Sequence, residues 1–528
     1  MPLPQDILES AGRVWEYHLS TKLTEASPAP RLVRPAVRVF DYLPKTALSP
    51  KLVDLPTATL TVLTRGVDAL PESMQLPPQD LRTLSTWLYM AAGQRPGPPE
   101  LPRAGEIYVA AFAIDGLEPG LYHFAPAEFA LRQLRDGVET MALLRRGRPD
   151  LNFLTTAPAA LLVSTVFARA NALFGRRGYR SAVLDAGHLV ADCVAAATGL
   201  GMRTMTRLKM TESSMRELIG LPEDFDDSSA ESVQAMVAWT DTATTPMTAA
   251  PAAAGPLMTL PRTPVGPVPP QPAVLAVHRD VTMRGLPARE LRSPMTELSP
   301  VGVNMASEPM PCRGDPPSRP LREVLTSIRP ADGFHKKTIG RDALCQISSV
   351  GFRSGTFFPL KPDGPHAALV RPLWVTSEAV GHDPGLWYHD PVYDGWAYLE
   401  NGDFRTTVGP LTRGREGLEH ASAVCAIVAN LRKLLLDAGP DAYRLAHLEA
   451  GLAARRMHLT AASMGYVGRV FGDFYDDPWR QFLHLANTGW EVLAVFALGG
   501  PPPVRPQAST PQQAATPERK AGIIGFRD

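Results

Sequence analysis

Residues 179–187 read Tyr-Arg-Ser-Ala-Val-Leu-Asp-Ala-Gly, and residues 443–451 repeat this stretch as Tyr-Arg-Leu-Ala-His-Leu-Glu-Ala-Gly. A second block repeats with nearly the same shift along the chain, since Pro-Gly-Leu-Tyr at 119–122 returns as Pro-Gly-Leu-Trp at 384–387. Solenoid repeats are much shorter than this shift, which is the size of a whole domain. The chain is therefore predicted to be a tandem duplication of one domain.

The composition excludes several classes of protein. The 53 basic and 53 acidic residues cancel, so no global charge points to nucleic acid or to an anionic membrane. The four cysteines, Cys193, Cys312, Cys345 and Cys425, lie far apart without zinc-ligand spacing, and no metal site is expected. The N-terminus lacks the basic, apolar pattern of a secretory signal, and no uncharged apolar run reaches membrane-spanning length. We expect a cytoplasmic protein that spans no membrane.

Changes in composition predict the domain boundaries. Residues 1–241 form a first domain, 242–318 a linker rich in Pro and Ala, 319–499 a second domain, and 500–528 a disordered tail. Each domain shows strand-like runs, a hairpin and one long helix, at about 181–198 and 445–463. We predict an α+β fold with two mixed sheets packed by helices. Neither domain has the glycine-rich motif of a dinucleotide fold or a P-loop.

Three runs of sequence point to one family: Arg-Ala-Gly-Glu-Ile-Tyr at 103–108, Pro-Gly-Leu-Tyr-His at 119–123, and the segment 177–188. In these runs the chain resembles the SagB-type dehydrogenases of the nitroreductase superfamily, over about residues 13–240 and more weakly over 319–499. The resemblance implies an FMN-dependent enzyme that oxidises thiazoline and oxazoline rings of a ribosomally made peptide to thiazoles and oxazoles. It also implies FMN in the crevice between two subunits, here an intramolecular pseudo-dimer. The implied partners are an azoline-containing precursor peptide and a cyclodehydratase.

A flavin needs cations for its phosphate and backbone amides beside its ring. We expect cofactor contacts in several places. The first group is Arg177 and Arg180, with the repeat partner Arg444. The second group is Arg103 and Gly105 in the first domain, which we match to Arg353, Ser354 and Gly355 in the second domain. The last group is Arg329 and Arg65, remnants of the Arg-Arg-Ser phosphate motif that the family carries. The alternative for each arginine is an ordinary ion pair with a nearby carboxylate.

The proton-transfer group is less clear, because the Lys-Tyr pair typical of these dehydrogenases is replaced by Leu173-Phe174. Neither of these side chains can transfer a proton. The remaining candidates are His188, Tyr179 and Tyr443, each of which could equally be a packing residue. The second domain has Leu452 where the first has His188, which predicts that the two crevices are not equivalent.

An aromatic group in the second domain could dock a peptide or simply form the core of the sheet; it consists of Trp387, Tyr388, Tyr393, Trp396 and Tyr398. Two other functions stay open. One is a nitroreductase-like oxidoreductase that uses NAD(P)H on a small molecule. The other is a cofactor-free scaffold that binds peptide or assembles a biosynthetic complex.

Overall fold

The computed structural model shows two seven-stranded sheets covered by helices. It describes residues 3–28, 38–93, 104–147, 157–208, 210–221, 230–240, 271–282, 308–309, 316–352, 369–390, 395–415 and 417–502. The predicted α+β class and the two-domain arrangement are confirmed. Nearly all of the predicted tail lies outside the described residues.

The first half contains seven helices and seven strands within its described residues. The helices are α1 (Gln5–Ser20), α2 (Thr59–Arg65), α3 (Leu81–Ala92), α4 (Gly137–Gly147), α5 (Phe167–Phe174), α6 (Gly178–Gly199) and α7 (Glu212–Leu218). The strands are β1 (Lys45–Ala47), β2 (Gly105–Ala111), β3 (Gly120–Ala125), β4 (Ala130–Asp136), β5 (Ala159–Val166), β6 (Thr204–Arg207) and β7 (Glu231–Trp239).

The second half repeats this order of elements in the part that is described. Its helices are α8 (Pro272–Val281), α9 (Leu321–Ser327), α10 (Arg341–Phe352), α11 (Arg405–Leu411), α12 (Leu431–Ala438), α13 (Asp441–Ser463) and α14 (Asp476–Phe482). Its strands are β8 (Glu308–Pro309), β9 (Arg371–Thr376), β10 (Gly385–Asp390), β11 (Gly395–Asn401), β12 (Ala423–Asn430), β13 (Val467–Phe471) and β14 (Trp490–Gly499).

The two sheets have the same strand order. The first runs β1-β4-β3-β2-β5-β7-β6, and the second, read from its β8 edge, runs β8-β11-β10-β9-β12-β14-β13. Every pair of these strands is antiparallel, so the sheets are antiparallel rather than mixed as predicted. The register also aligns the halves. Glu106 pairs with Ser164 in the first sheet, and Arg371 pairs with Val428 in the second. Val428 follows Ser164 by as many positions as Tyr443 follows Tyr179, so Arg371 corresponds to Glu106.

The second copy of the fold begins earlier than the sequence indicates. The range 242–318, where we predict a linker, contains α8 and β8. These elements correspond to α1 and β1, since β8 lies at the edge of its sheet beside β11 as β1 lies beside β4. The second copy therefore starts well before residue 319.

The long helices α6 and α13 cross at the centre of the molecule, and the repeated glycine makes this crossing possible. A Cβ atom on Gly187 would lie 2.1 Å from the carbonyl oxygen of Leu448. Reciprocally, a Cβ on Gly451 would lie 2.1 Å from the carbonyl oxygen of Leu184. Only glycine allows two backbones to approach so closely. The repeated Ala-Gly therefore marks the axis that relates the two halves.

The N-terminal helices are exchanged between the halves. Nδ1 of His18, on α1, lies 3.2 Å from the hydroxyl of Tyr443 in the second half. The ring of His278, on α8, lies 4.9 Å from that of Phe167 in the first half. Each copy thus covers the other with its first helix, which ties the halves into one folding unit.

Among the described residues, one stretch is long and apolar enough to cross a membrane, Phe167–Gly199. Its most apolar window is 89% buried inside the protein. Such burial is what the central helix of a packed core requires.

Candidate functional site

Arg177 and Arg180 lie at the start of α6 and reach across the junction to α14. The Nη1 atom of Arg177 donates to Oδ2 of Asp476 at 2.7 Å, and Nη2 of Arg180 donates to Oδ1 of the same carboxylate at 2.9 Å. All three side chains are buried. Burial by itself would raise the pKa of Asp476, but the two guanidinium groups hold that pKa well below its usual range. Both arginines thus share the single negative charge of Asp476 inside the protein.

Arg444 on α13 makes the matching contact in the opposite direction. Its guanidinium group lies 2.9 Å from Oδ1 of Asp441 and donates to the carbonyl oxygens of Gln234 and Leu208 in the first half. Like its repeat partner Arg180, it is buried. These contacts favour a structural role in joining the halves over the cofactor role that we expected for these arginines.

Tyr179 and Tyr443 stack on each other at the centre, with ring centroids 6.4 Å apart. Tyr17 on α1 meets both rings edge-on, at 6.3 Å from each. Burial raises the pKa of Tyr179 and of Tyr443 well above its ordinary value. Such phenols stay protonated and lie in the core, which favours the packing role for this pair.

Sequence reasoning missed the other members of this central cluster. His18 lies 3.3 Å from Oε2 of Glu491 on β14, and Nζ of Lys22 lies 3.0 Å from the same carboxylate. Burial is the main reason that the pKa of His18 falls and that of Glu491 rises. The run Tyr17-His18-Leu19 belongs to the resemblance, but nothing local in the sequence indicates that it packs on residues more than 400 positions away.

The middle of α6 opens to the surface at two residues. Every other residue of this helix is buried, whereas the side chains of Asp185 and His188 are 42% and 20% exposed. Nδ1 of His188 lies 3.8 Å from Oδ1 of Asp185. Its Nε2 is buried and has no hydrogen-bond partner in the described part of the chain. Gly105, at the start of β2, packs against the same helix, because a Cβ there would lie 2.9 Å from the buried side chain of Leu189, the neighbour of His188.

This opening, formed by Asp185 and His188, is called the α6 opening below. Of the predicted site residues, His188 lies at the opening, and Gly105 packs against Leu189, the next residue of the helix. An imidazole near an acid, with a buried nitrogen that lacks a partner among the described residues, is a candidate for proton transfer.

The equivalent place in the second half is closed. By the sheet register, Val370 stands where the first half has Gly105, and it is fully buried. Oε1 of Glu449, the repeat partner of Asp185, accepts a hydrogen bond from the amide of Leu369 at 2.9 Å. Burial raises the pKa of Glu449 to about 7, although the Leu369 amide and Arg371 act to lower it. The chain itself thus occupies the position that is open in the first half.

The remaining predicted residues are dispersed. Arg103, Arg353, Ser354 and Gly355 lie outside the described residues. The register nevertheless matches Gly105 to Val370, so the pairing with Gly355 that we made from sequence is not the spatial one. Arg329 is half-buried and donates to the carbonyl oxygens of Thr326 and Ile328. Arg65 ends α2 and is exposed.

Leu173 and Phe174 are half-buried at the end of α5. In the aromatic group, Trp387, Tyr388 and Trp396 are buried, whereas Tyr398 is 41% exposed; Tyr393 lies outside the described residues. Most of the described part of this group therefore belongs to the core of the sheet.

Comparisons with known proteins agree with this fold. Residues 392–500 match the model of the nitroreductase family. MJ1384, a candidate nitroreductase of Methanocaldococcus jannaschii, is 28% identical over 153 residues, which cover 28% of this chain and 77% of that protein. The crystal structure of a candidate nitroreductase from Anabaena variabilis superposes with a TM-score of 0.67 at 18% identity, covering 93% of this chain and 99% of that one. Residues 392–500 thus match the nitroreductase family, and the chain as a whole shares the two-domain, nitroreductase-like fold of the Anabaena protein.

Proposed function

We propose that this protein is an FMN-dependent dehydrogenase that oxidises thiazoline or oxazoline rings in a ribosomally made peptide. The fold and the family match support a flavin oxidoreductase. The azoline substrate, the precursor peptide and a cyclodehydratase partner are supported by the SagB-like runs at 103–108, 119–123 and 177–188. The observation that carries the proposal is the α6 opening with its orphaned imidazole nitrogen.

One observation supports a ligand at the α6 opening, since Nε2 of His188 lacks a partner within the described residues. Glycine at position 105 is required by the packing of β2 on α6, because a Cβ there would lie 2.9 Å from Leu189. Arg177 and Arg180 are engaged by Asp476, and Arg444 by Asp441 and two carbonyl oxygens, so these arginines are not our first choice for the phosphate. We assign the phosphate contact instead to Arg103, which stands two residues before Gly105 in the sequence.

Conversion of an azoline to an azole removes a hydride and a proton from adjacent ring atoms. FMN, when bound, supplies the acceptor for the hydride. We assign the proton acceptor to the imidazole of His188, in the role left vacant by Leu173-Phe174, with Asp185 3.8 Å from its Nδ1. We expect one functional site in each chain, because at the equivalent place in the second half Val370 is buried and Glu449 accepts a hydrogen bond from the Leu369 amide.

Replacement of His188 by asparagine is expected to lower the turnover of an azoline peptide by about 10²–10⁴-fold, the usual contribution of a general base. Flavin should be retained, because the imidazole is not its anchor. Mass spectrometry would follow the loss of two hydrogens from the peptide. His420→Asn is the control, since that side chain is 50% exposed and lies in the other half. Unchanged turnover in His188→Asn would exclude His188 as the base.

The purified protein is expected to hold about one FMN per chain. Visible absorption and the released chromophore would give the stoichiometry. Gly105→Leu should lose the flavin, because the new side chain would collide with Leu189 and push the start of β2 away from α6, whereas Gly12→Leu on an exposed turn of α1 should keep it. Two flavins per chain would contradict the closed second crevice.

A cofactor-free scaffold is the second candidate, favoured by the pairing of Arg177, Arg180 and Arg444 with carboxylates. This function predicts no flavin even after reconstitution, with peptide binding intact. A small-molecule oxidoreductase predicts reduction of bound flavin by NAD(P)H without any peptide. The same absorption measurement, with and without nicotinamide, separates the three functions.

A further inference from the structure

The outer face of the first sheet carries a buried ionic cluster of three residues. Oε1 of Glu106 on β2 accepts a hydrogen bond from Nη2 of Arg169 on α5. Oε2 of the same carboxylate lies 3.0 Å from Nε2 of His123 on β3. Glu106, His123 and Arg169 are 6%, 1% and 2% exposed. Burial alone would raise the pKa of Glu106, but Arg169 and His123 lower it to about 2, so the carboxylate stays charged.

The position of Glu106 connects this cluster to the α6 opening. Glu106 directly follows Gly105 in β2, and neighbouring residues of a strand point to opposite faces of the sheet. A contact that fixes the side chain of Glu106 on one face therefore also fixes the backbone of Gly105. Arg169 lies on α5, which leads through residues 175–177 into α6, the helix that carries Asp185 and His188. The Glu106–Arg169 pair therefore ties the start of β2 to the helix that leads into α6.

The second half, whose crevice is closed, has different residues at the positions of this cluster. The register places Arg371 at the position of Glu106 and Tyr388 at that of His123. Lys433 is the repeat counterpart of Arg169 and lies 3.2 Å from Asp437 on its own helix. The half with the opening is thus the half with the Glu106–His123–Arg169 cluster.

We propose that Glu106 is a positioning residue: by holding the start of β2 against α5, it sets the separation of Gly105 from Asp185 and His188. This inference rests on the proposed function for its consequence, the binding of flavin at that place, but the clamp itself is a property of the protein alone. A buried charge pair broken on one side leaves the other charge uncompensated, so the clamp should fail when Glu106 becomes neutral.

Glu231 offers a matched control. It is a second buried carboxylate on the same face, on β7, bound by Tyr108, Ser164 and Arg38. It resembles Glu106 in burial and charge but does not adjoin Gly105. Glu106→Gln and Glu231→Gln should therefore lower the melting temperature to a similar extent. They should differ in hydrogen exchange at the start of β2 and along α5.

The experiment is hydrogen exchange on the apoprotein, followed by titration with FMN. The amides of residues 105–107 and 169–174 should exchange about tenfold faster in Glu106→Gln than in Glu231→Gln. FMN should also bind to Glu106→Gln about tenfold more weakly than to Glu231→Gln. Glu106→Asp, which keeps the charge, should recover part of both effects.

Equal exchange in the two glutamine variants would overturn the inference, as would faster exchange with unchanged FMN affinity. A wild-type protein that binds no FMN would overturn the proposed function instead. The exchange result alone would then decide whether Glu106 holds β2 to α5.

Discussion

Replacement of Gly187 by leucine is expected to force the two halves apart and to destabilise the protein by about 3 kcal/mol or more, at or above the upper end of overpacking effects. The atom that a Cβ would meet is backbone, the carbonyl oxygen of Leu448 at 2.1 Å, so no side chain can move aside. The helices α6 and α13 must separate instead, and with them the packing between the halves. Urea unfolding and the rate of limited proteolysis would measure this loss.

Gly451→Leu should have a similar effect, because its Cβ would lie 2.1 Å from the carbonyl oxygen of Leu184 in the reciprocal contact. Gly12 supplies the control: it lies on the exposed side of α1 with nothing within 4 Å of its Cβ position. Gly12→Leu should stabilise α1 by about 0.5–1 kcal/mol, the gain in helix propensity. An unfolding midpoint of Gly187→Leu equal to that of the wild type would contradict the helix crossing.

Replacement of Asp476 by asparagine is expected to cost about 3–5 kcal/mol, because it leaves two buried guanidinium groups without a counter-charge. Arg177 and Arg180 belong to the first half and Asp476 to the second, so this change also weakens the junction. Asp477→Asn is the matched control next to it. The side chain of Asp477 is 64% exposed, and its loss should cost no more than about 1 kcal/mol. Denaturant unfolding of both variants would compare them.

The carboxylate of Asp476 also predicts how the free energy of unfolding depends on pH in acid. The folded-state pKa of Asp476 is held well below its unfolded value of about 3.9. A group of this kind contributes stability that is fully present above the unfolded pKa and is lost as the pH falls towards the folded one. The free energy of unfolding should therefore fall more steeply below about pH 4 in the wild type than in Asp476→Asn. Parallel curves for the two proteins would refute this contribution.

Many of the elements could be predicted from local sequence. The helix predicted at 181–198 is α6 at Gly178–Gly199, and the hairpin predicted in the first domain is formed by β3 and β4. Periodicity and turn residues are local signals, so they survive in a single sequence. The helix α8 was missed because its surroundings are rich in Pro and Ala, and its burial depends on α1 and the first half.

The candidate site was predictable only in part. His188 and Gly105 were named from motifs, and the fold places Gly105 against Leu189, the residue after His188. The role of the arginines was not predictable, because the run Arg-Gly-Tyr-Arg at 177–180 reads the same whether its partner is a phosphate or a buried Asp476. Glu106 and His123 lie in the runs 103–108 and 119–123, but nothing local indicated that they meet Arg169, since the three residues are 17 to 63 positions apart.

By itself, the sequence determined that one domain occurs twice and which segments form many of its strands and helices. The constant shift between the two copies and the periodicity of apolar residues are properties of the chain alone. The tertiary structure decided the exchange of α1 and α8, the pairing of Arg177 and Arg180 with Asp476, and which crevice stays open. These contacts join residues about 80 to more than 400 positions apart, and their energies depend on burial and distance, which only the folded chain defines.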